Sequence, residues 1–192
     1  MRSGVVSLML LSVALPALAQ QAPPPTVAGF VRNLYNARKN EIVSSAKKMP
    51  EEFYDLRPGP QMEVRTFGQH LAHIANFNFL WCAEALGETN PNAGTNLEKT
   101  LKTKAEFLKA LDDSFAFCDK AYDALTDASG AEVLEITQEG GRRTRLPRMG
   151  LLILNLGHED EVYGSMVTTM RMKSIVPPAS EPRPRRGQGA QR

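Results

Sequence analysis

The sequence predicts an all-α fold, an antiparallel up-down four-helix bundle, and three observations lead to it. Four segments carry apolar residues at helical spacing, and stretches rich in turn-forming residues separate them. The third segment has apolar side chains three, four and seven residues apart, the seam of a helix packed against its neighbours. No alternation of strands and helices indicates a parallel sheet, so the helices are expected to pack on one another.

The first two helices are predicted at about residues 26–48 and 65–86. On the first, one side carries Val27, Phe30, Val31, Leu34 and Ile42. On the second, a narrow apolar arc is formed by Phe67, Leu71, Ile74, Trp81 and Ala85. Gly87 is a plausible end for the second helix, since glycine readily adopts the left-handed conformation that stops one.

The third helix begins at a capping-box pattern formed by Thr95 and Glu98. Its seam consists of Leu97, Leu101, Leu108, Leu111, Phe115, Cys118, Tyr122 and Leu125. The segment that follows has alternating Val133 and Glu135, a Gly140-Gly141 turn and four arginines. It predicts either a small hairpin or a loop, and the arginines either form an anion-binding rim or lie in solvent.

The fourth helix starts at Pro147 and has two apolar stripes. One consists of Met149, Leu152, Leu156, Tyr163, Val167 and Met170. The other, roughly opposite, consists of Leu151, Leu154, His158 and Val162. A helix that is apolar on both sides is buried on both sides, either around a site between helices or against a second subunit. A homodimer is therefore one expectation.

The two ends of the chain differ in composition from the body between them. Residues 1–19 have the order of a secretory signal peptide cleaved after Ala19, so the protein is expected in the periplasm or secreted. Residues 20–175 form the predicted bundle domain, and residues 176–192 a disordered Pro/Arg-rich tail. No later segment is apolar enough to span a membrane. The formal net charge of +2 gives no reason to expect a nucleic-acid partner.

The two cysteines, Cys82 and Cys118, form an even pair in a chain predicted to be exported, which favours one disulfide. On an ideal second helix, Cys82 and His73 lie on opposite sides of the apolar arc. Cys82 can then face Cys118 on the seam of the third helix without disturbing a histidine site. The alternative is two reduced, buried cysteines.

Several familiar sites are missing from the sequence: a covalent haem motif, a Glu-x-x-His pair for di-iron, a phosphate-binding glycine loop and a GxSxG elbow. No cofactor-binding motif is therefore identified. Three histidines remain as candidates for chemistry, namely His70 and His73 on the second helix and His158 on the fourth.

Three stretches resemble the DinB-like (damage-inducible) superfamily of four-helix bundles, in its exported bacterial branch. They are VRTFGQHLAHIANFNFLWCAEALGE, SFAFCDKAYDAL and HEDEVYGSMVTTMRMKSIVPP. The resemblance implies a divalent metal bound by one histidine of the second helix and two of the fourth in an HxxxH pair. The first carries over to His73 and the second to His158, whereas the third falls on Val162.

The missing third histidine leaves two expectations open. Zinc or nickel usually takes at least three protein ligands, and Glu161 or, alternatively, His70 is placed to complete the set. Otherwise the site is degenerate, holds no metal, and joins His73 to His158 in a polar pocket. The resemblance implies a metal-dependent transferase or hydrolase acting on an unknown small molecule. The rival expectation is a non-catalytic binding or structural bundle of the cell envelope.

Overall fold

The computed structural model describes residues 24–137 and 142–182; the predicted signal segment 1–19 and the Gly140-Gly141 turn lie outside them. Its elements are, in order, α1 (Val27–Lys48), α2 (Phe67–Leu86), α3 (Leu97–Thr100), α4 (Lys104–Asp123), α5 (Asp127–Gly130), β1 (Val133–Thr137), β2 (Arg143–Pro147) and α6 (Arg148–Met172). Short 3-10 turns cover Glu51–Phe53 and Pro178–Ser180. The four long helices α1, α2, α4 and α6 confirm the predicted all-α four-helix bundle.

The ends of α2 follow directly from its sequence. The Thr66 hydroxyl accepts from the Gln69 backbone N–H at 3.1 Å, and the Gln69 side chain accepts from the Thr66 N–H at 3.0 Å. This capping box starts the helix two residues later than predicted. Gly87 ends it with φ +70°, a conformation that costs glycine little.

The predicted third helix is broken near its start, and the predicted Thr95–Glu98 capping box is wrong. Asn96 caps α3 by accepting from the Glu98 N–H at 3.0 Å. The backbone then becomes extended at Leu101, and a second capping box, Thr103 with Glu106, starts α4. Because Asn96 and not Thr95 caps α3, the Glu98 side chain takes no part in a capping box.

Helices α2 and α4 run in the same direction, which differs from the strictly alternating up-down order that was predicted. Gly68 near the start of α2 packs against Phe107 near the start of α4, and a Cβ on it would lie 2.7 Å from that ring. Cys82 is joined to Cys118 towards the other end. The connection from Gly87 to Thr103 is long enough to return along α2, so α4 starts at the same end of the bundle as α2.

The remaining two long helices run opposite to this pair. Arg32 of α1 donates to the Tyr122 carbonyl near the end of α4 at 2.8 Å. Arg148 at the start of α6 donates to the Ala85 carbonyl near the end of α2. The order of directions along the chain is therefore up, down, down, up.

The core lies between the four long helices. Its largest fully buried side chains include Tyr35, Tyr122, Phe67, Phe115, Ile42, Leu71, Leu111 and Leu151. Tyr35 stacks on Tyr122 with ring centroids 3.7 Å apart, which holds α1 against α4.

The inner face of α1 differs from the predicted one. Val31 and Ile42 are buried as expected, but Phe30 and Leu34 are 62% and 43% exposed. Tyr35 takes the inner position because its hydroxyl donates to Asp119 at 2.9 Å while its ring stacks in the core. An apolar stripe on α1 is left at the surface of the chain.

Cys82 and Cys118 form a disulfide between α2 and α4, with Cα atoms 5.2 Å apart. The prediction of this bond is confirmed, and the alternative of two reduced cysteines is wrong. The cross-link fixes the height of α4 relative to α2.

The segment before α6 is a hairpin rather than a loop. Strands β1 and β2 pair antiparallel, with Glu135 opposite Arg145. Arg143 pairs with Glu135 at 2.8 Å, and Arg148 pairs with Glu132 at 2.7 Å. These arginines are engaged with neighbouring glutamates.

The first residues of the predicted tail contact the bundle. Lys48 of α1 donates to the Val176 carbonyl at 2.8 Å, and Arg171 donates to the Ser180 hydroxyl at 2.8 Å. Residues 183–192 lie outside the described part. None of the described helices combines the length and apolar character that crossing a membrane requires.

Candidate functional site

His73 of α2 and His158 of α6 meet between their two helices. Their Nε2 atoms are 3.0 Å apart, and the ring centroids are 4.8 Å apart. Both side chains are only partly buried, so the pair lies at the edge of the core rather than in its centre. The two histidines that the sequence analysis placed together are thus in direct contact.

A buried polar network next to the histidines sets the relative height of α2 and α6. The Asn155 side-chain amide donates to the Asn78 Oδ1 at 2.9 Å, and the Tyr122 hydroxyl donates to the Asn155 Oδ1 at 2.9 Å. All three residues are buried, so shifting one helix along the other would leave amide groups without partners. The network therefore holds His73 opposite His158.

Glu98 completes a chain of hydrogen bonds that starts at Arg65. The Arg65 Nε donates to one oxygen of Glu98 at 2.7 Å, and the other oxygen lies 2.7 Å from the Nδ1 of His73. Glu98 reaches this position because the connection after α2 runs back along that helix. The sequence pattern predicts Glu98 in a helix cap, and it gives no signal for the role of Arg65.

The protonation of the site follows from these contacts. Burial raises the pKa of Glu98, but the hydrogen bonds from His73 and Arg65 outweigh it and lower the pKa to about 2. An ionised carboxylate can only accept, so the Nδ1 of His73 carries the proton. In the neutral ring, the Nε2 of His73 then presents its lone pair to His158.

His158 has a mainly apolar environment. The rings of Phe77 and Trp81 lie 4.6 and 5.2 Å from its ring centroid. Burial, together with the neighbouring His73, lowers the pKa of His158 to about 4, so the ring is neutral at pH 7. Its Nδ1 is buried and has no hydrogen-bond partner among the described residues. The Nε2 can donate its hydrogen to His73 or, in the other tautomer, offer a second lone pair.

A cavity of about 620 Å³ opens beside His73, between α2 and residues 90–98. We call it the α2 groove. Its lining consists of Arg65, His73, Asn76, Phe77, Leu80, Glu84, Asn90, Asn92, Ala93, Gly94, Thr95, Asn96 and Glu98. The groove therefore gives a small molecule access to His73 and Glu98, whereas His158 is not part of its lining.

The other predicted site residues do not join the histidine pair. Glu161 is exposed on α6, and Val162 is 6% exposed and packs in the apolar core. His70 is buried, and burial followed by the nearby charge of Arg65 lowers its pKa to about 4. Its Nδ1 has no hydrogen-bond partner in the described part of the chain.

The spacing of the two Nε2 atoms fits a single metal ion, but the set of protein ligands is incomplete. Two nitrogens bound to one tetrahedral zinc at 2.0 to 2.1 Å lie about 3.3 Å apart, close to the 3.0 Å found here. Glu98 on the far nitrogen of His73 is the carboxylate partner that metal-binding histidines usually have. Within residues 24–137 and 142–182, however, no group of three or more His, Cys, Asp or Glu side chains is placed to hold a metal.

One further buried acid lies beside the site. Glu159 is fully buried, and its carboxyl group lies near the side chain of Asn78. Burial, and then the nearby charge of Asp160, raises its pKa well above the ordinary value. Its position in the apolar period of α6 was the one available signal, and the sequence analysis did not use it.

Comparison with known proteins identifies the fold. The family model of the DinB superfamily matches residues 34–161. A DinB-like protein from Bacillus cereus has a TM-score of 0.61 and 16% identity, over 80% of this chain and 96% of that one. A DinB-like protein from Bacillus subtilis has a TM-score of 0.59 and 16% identity, over 80% of this chain and 99% of that one. A conserved protein from Enterococcus faecalis has a TM-score of 0.60 and 12% identity, over 78% of this chain and 98% of that one. No curated protein matches the sequence.

Proposed function

Because the chain belongs to the DinB superfamily, whose members often bind metals, we propose that it binds a divalent ion, zinc or nickel, through His73 and His158. One observation carries the proposal: two Nε2 atoms from different helices lie 3.0 Å apart, and the far nitrogen of His73 is held by Glu98. Two imidazoles that converge on one point with a carboxylate behind them are typical of a metal site.

Each residue of the site has a separate role in this proposal. Glu98 fixes the tautomer and orientation of His73 and increases the basicity of its Nε2. Arg65 neutralises Glu98 and holds its second oxygen. The apolar surroundings keep His158 neutral, as a ligand must be. A metal bound here would act as a Lewis acid towards a thiol or water, the chemistry of transferases and hydrolases.

The expected affinity is low because the protein supplies two ligands where three are usual. The third position of the family pattern is Val162, which has no donor atom and is packed in the core. His158 also lacks a carboxylate partner for its Nδ1 among the described residues. Two protein ligands leave the other coordination positions to water or to a molecule in the α2 groove.

Zinc titration of metal-free protein tests the proposal. We expect one weak site in the wild type and its loss in both His73→Ala and His158→Ala, since each removes half of the protein ligands. His70→Ala is the matched control: it removes a histidine one turn from His73 that is not part of the pair. Equal zinc binding by the wild type and His158→Ala would contradict the proposal, and loss of binding in His70→Ala would make His70 a ligand.

The second candidate is a binding bundle that functions without a metal. One observation favours it: the hydrogen bond between His158 and His73 already occupies both Nε2 atoms. The metal content of protein purified without a chelating tag distinguishes the two. Stoichiometric zinc or nickel in the wild type supports the metal protein. Metal that is absent from the wild type but present in Val162→His, which supplies a third histidine, supports the metal-free bundle.

We further propose that residues 1–19 direct export of the protein and are cleaved off after Ala19. The order of residues 1–19 supports this, and the Cys82–Cys118 disulfide is compatible with an oxidising compartment. Mass spectrometry of the protein from the cell envelope would give a chain that begins at Gln20. A full-length chain in the cytoplasm would contradict export.

A further inference from the structure

The α2 groove is elongated along the helix axis. His73, Phe77, Leu80 and Glu84 lie three or four residues apart, so they form one row on α2. With a rise of 1.5 Å per residue, the row is about 16 Å long from His73 to Glu84. Residues 90–98 form the opposite wall, and Gly94 allows their turn with φ +78°.

The groove has a carboxylate at one end and, at the other end, guanidinium N–H donors of Arg65 beside its ion-pair partner Glu98. The Glu84 side chain has no hydrogen bond or ion pair with any described residue. At the other end, Arg65 uses its Nε for Glu98, and its two terminal nitrogens have no partner in the described part of the chain. A ligand with a cationic end and an anionic end would match this arrangement.

The middle of the groove offers apolar contact and amide groups. Phe77 and Leu80 line it with apolar surface. Asn76 is used internally, since its Oδ1 accepts from Asn92 at 2.9 Å and from the Leu97 N–H at 3.2 Å. The Nδ2 atoms of Asn90 and Asn96 have no such partner among the described residues. Amides that are free in this way can donate to the carbonyl groups of a peptide backbone.

We propose that the α2 groove binds a short zwitterionic peptide in an extended conformation, with its ammonium group at Glu84 and its carboxylate at Arg65. An extended chain covers 3.3 to 3.6 Å per residue, so about five residues match the length of the row. The inference rests on the proposed function because it names the ligand of the same site. The carboxyl-terminal half of the peptide lies beside His73, where a bound metal would be.

Peptide titration followed by amide NMR shifts of labelled protein tests this inference. The probe is the pentapeptide Ala-Ser-Ala-Ser-Ala with free ends, compared with its N-acetylated form and its C-terminal amide. We expect shifts along α2 and residues 90–98 with the free peptide. Each capped form should bind about fivefold more weakly, because one partly exposed ion pair is lost.

Two variants assign the ammonium end. Glu84→Gln should bind the free and the N-acetylated peptide equally, because the charge that distinguishes them is gone. Glu88→Gln is the matched control, since Glu88 is exposed, lies four residues after Glu84 and does not line the groove. It should keep the preference of the wild type. Equal binding of free and capped peptides by the wild type, or an unchanged preference in Glu84→Gln, would overturn the inference.

Running the titration in chelator and again with zinc separates this inference from the proposed function. Peptide binding in chelator with no zinc binding would support the groove and contradict the metal site. Zinc binding with no peptide binding in either buffer would support the metal site and contradict the groove.

Discussion

The Nδ1 of His73 donates a hydrogen bond to the Oε1 of Glu98 at 2.7 Å, although 25 residues separate them along the chain. The contact joins α2 to the connection that returns along it. The orientation of His73 therefore depends on a segment outside the four long helices.

Glu98→Ala should weaken zinc binding about 10- to 100-fold, the usual effect of removing the carboxylate partner of a metal-binding histidine. Glu98→Gln should restore part of the loss because its side-chain oxygen still accepts from His73. Glu63→Ala removes an exposed carboxylate outside the groove lining and should have no effect. Competition with a zinc indicator measures all four proteins. Wild-type affinity in Glu98→Ala would mean that Glu98 does not act on the metal.

Val162→His should bind zinc or nickel at least about tenfold more tightly than the wild type, because a third imidazole held on a helix replaces bound water. Calorimetry on both proteins measures it, and circular dichroism checks that the buried substitution leaves the helices intact. Ile153→His adds a histidine to an exposed position of the same helix and serves as the control. Equal affinity of wild type and Val162→His would mean that position 162 does not face the pair. Tight binding by the wild type would mean that Glu161 or His70 completes the site.

The free energy of unfolding should decrease as the pH falls from 6.5 towards 4. Burial lowers the pKa of His70 and of His158 from 6.5 to about 4, so in this range the unfolded chain binds protons that the folded chain does not. Each histidine contributes a slope of up to about 1.4 kcal/mol per pH unit. Urea unfolding of metal-free protein between pH 5 and 6.5 measures the slope. His70→Gln should reduce it, and an unchanged slope would contradict the assignment to His70.

Reduction of the Cys82–Cys118 bond should lower the free energy of unfolding by about 4 kcal/mol, since the bond closes a loop with a sequence separation of 36. Urea unfolding with and without reductant measures the difference. In a double variant, Cys82→Ala with Cys118→Ala, the reductant should have no effect. A wild type that is equally stable in both conditions would contradict the prediction.

The exposed stripe on α1 predicts a homodimer. Phe30 and Leu34 are exposed on one side of the helix, and Ile153 of α6 is 48% exposed. Covering these side chains with a second copy would remove apolar surface from water. Light scattering at micromolar concentration should give twice the chain mass, and Phe30→Glu should halve it. Met62→Glu, at a more exposed position in a connection, is the control. A wild-type monomer would contradict the prediction.

The sequence alone was enough for features that depend on neighbours along the chain. Helical periodicity located the four long helices, and the glycine at position 87 marked the end of α2, because both signals act within one or two turns. The faces of α2 and of the third predicted helix were sufficient to place Cys82 against Cys118. The family pattern singled out His73 and His158, which the structure brings to 3.0 Å.

Only the tertiary structure decided which groups surround the histidines. The spacing of Thr95 and Glu98 matches a capping box. The side chain of Glu98 instead contacts His73 on α2 and Arg65, which precedes that helix. The return of the connection along α2 makes α2 and α4 parallel, and a connection of that length permits either direction. The exposed stripe of α1 has the same spacing as a buried one, because periodicity shows that a face is apolar but not what covers it. Position 162 shows most clearly what each level determines. The sequence determined that its side chain has no donor atom, and the packing of α6 decided that this side chain lies in the core.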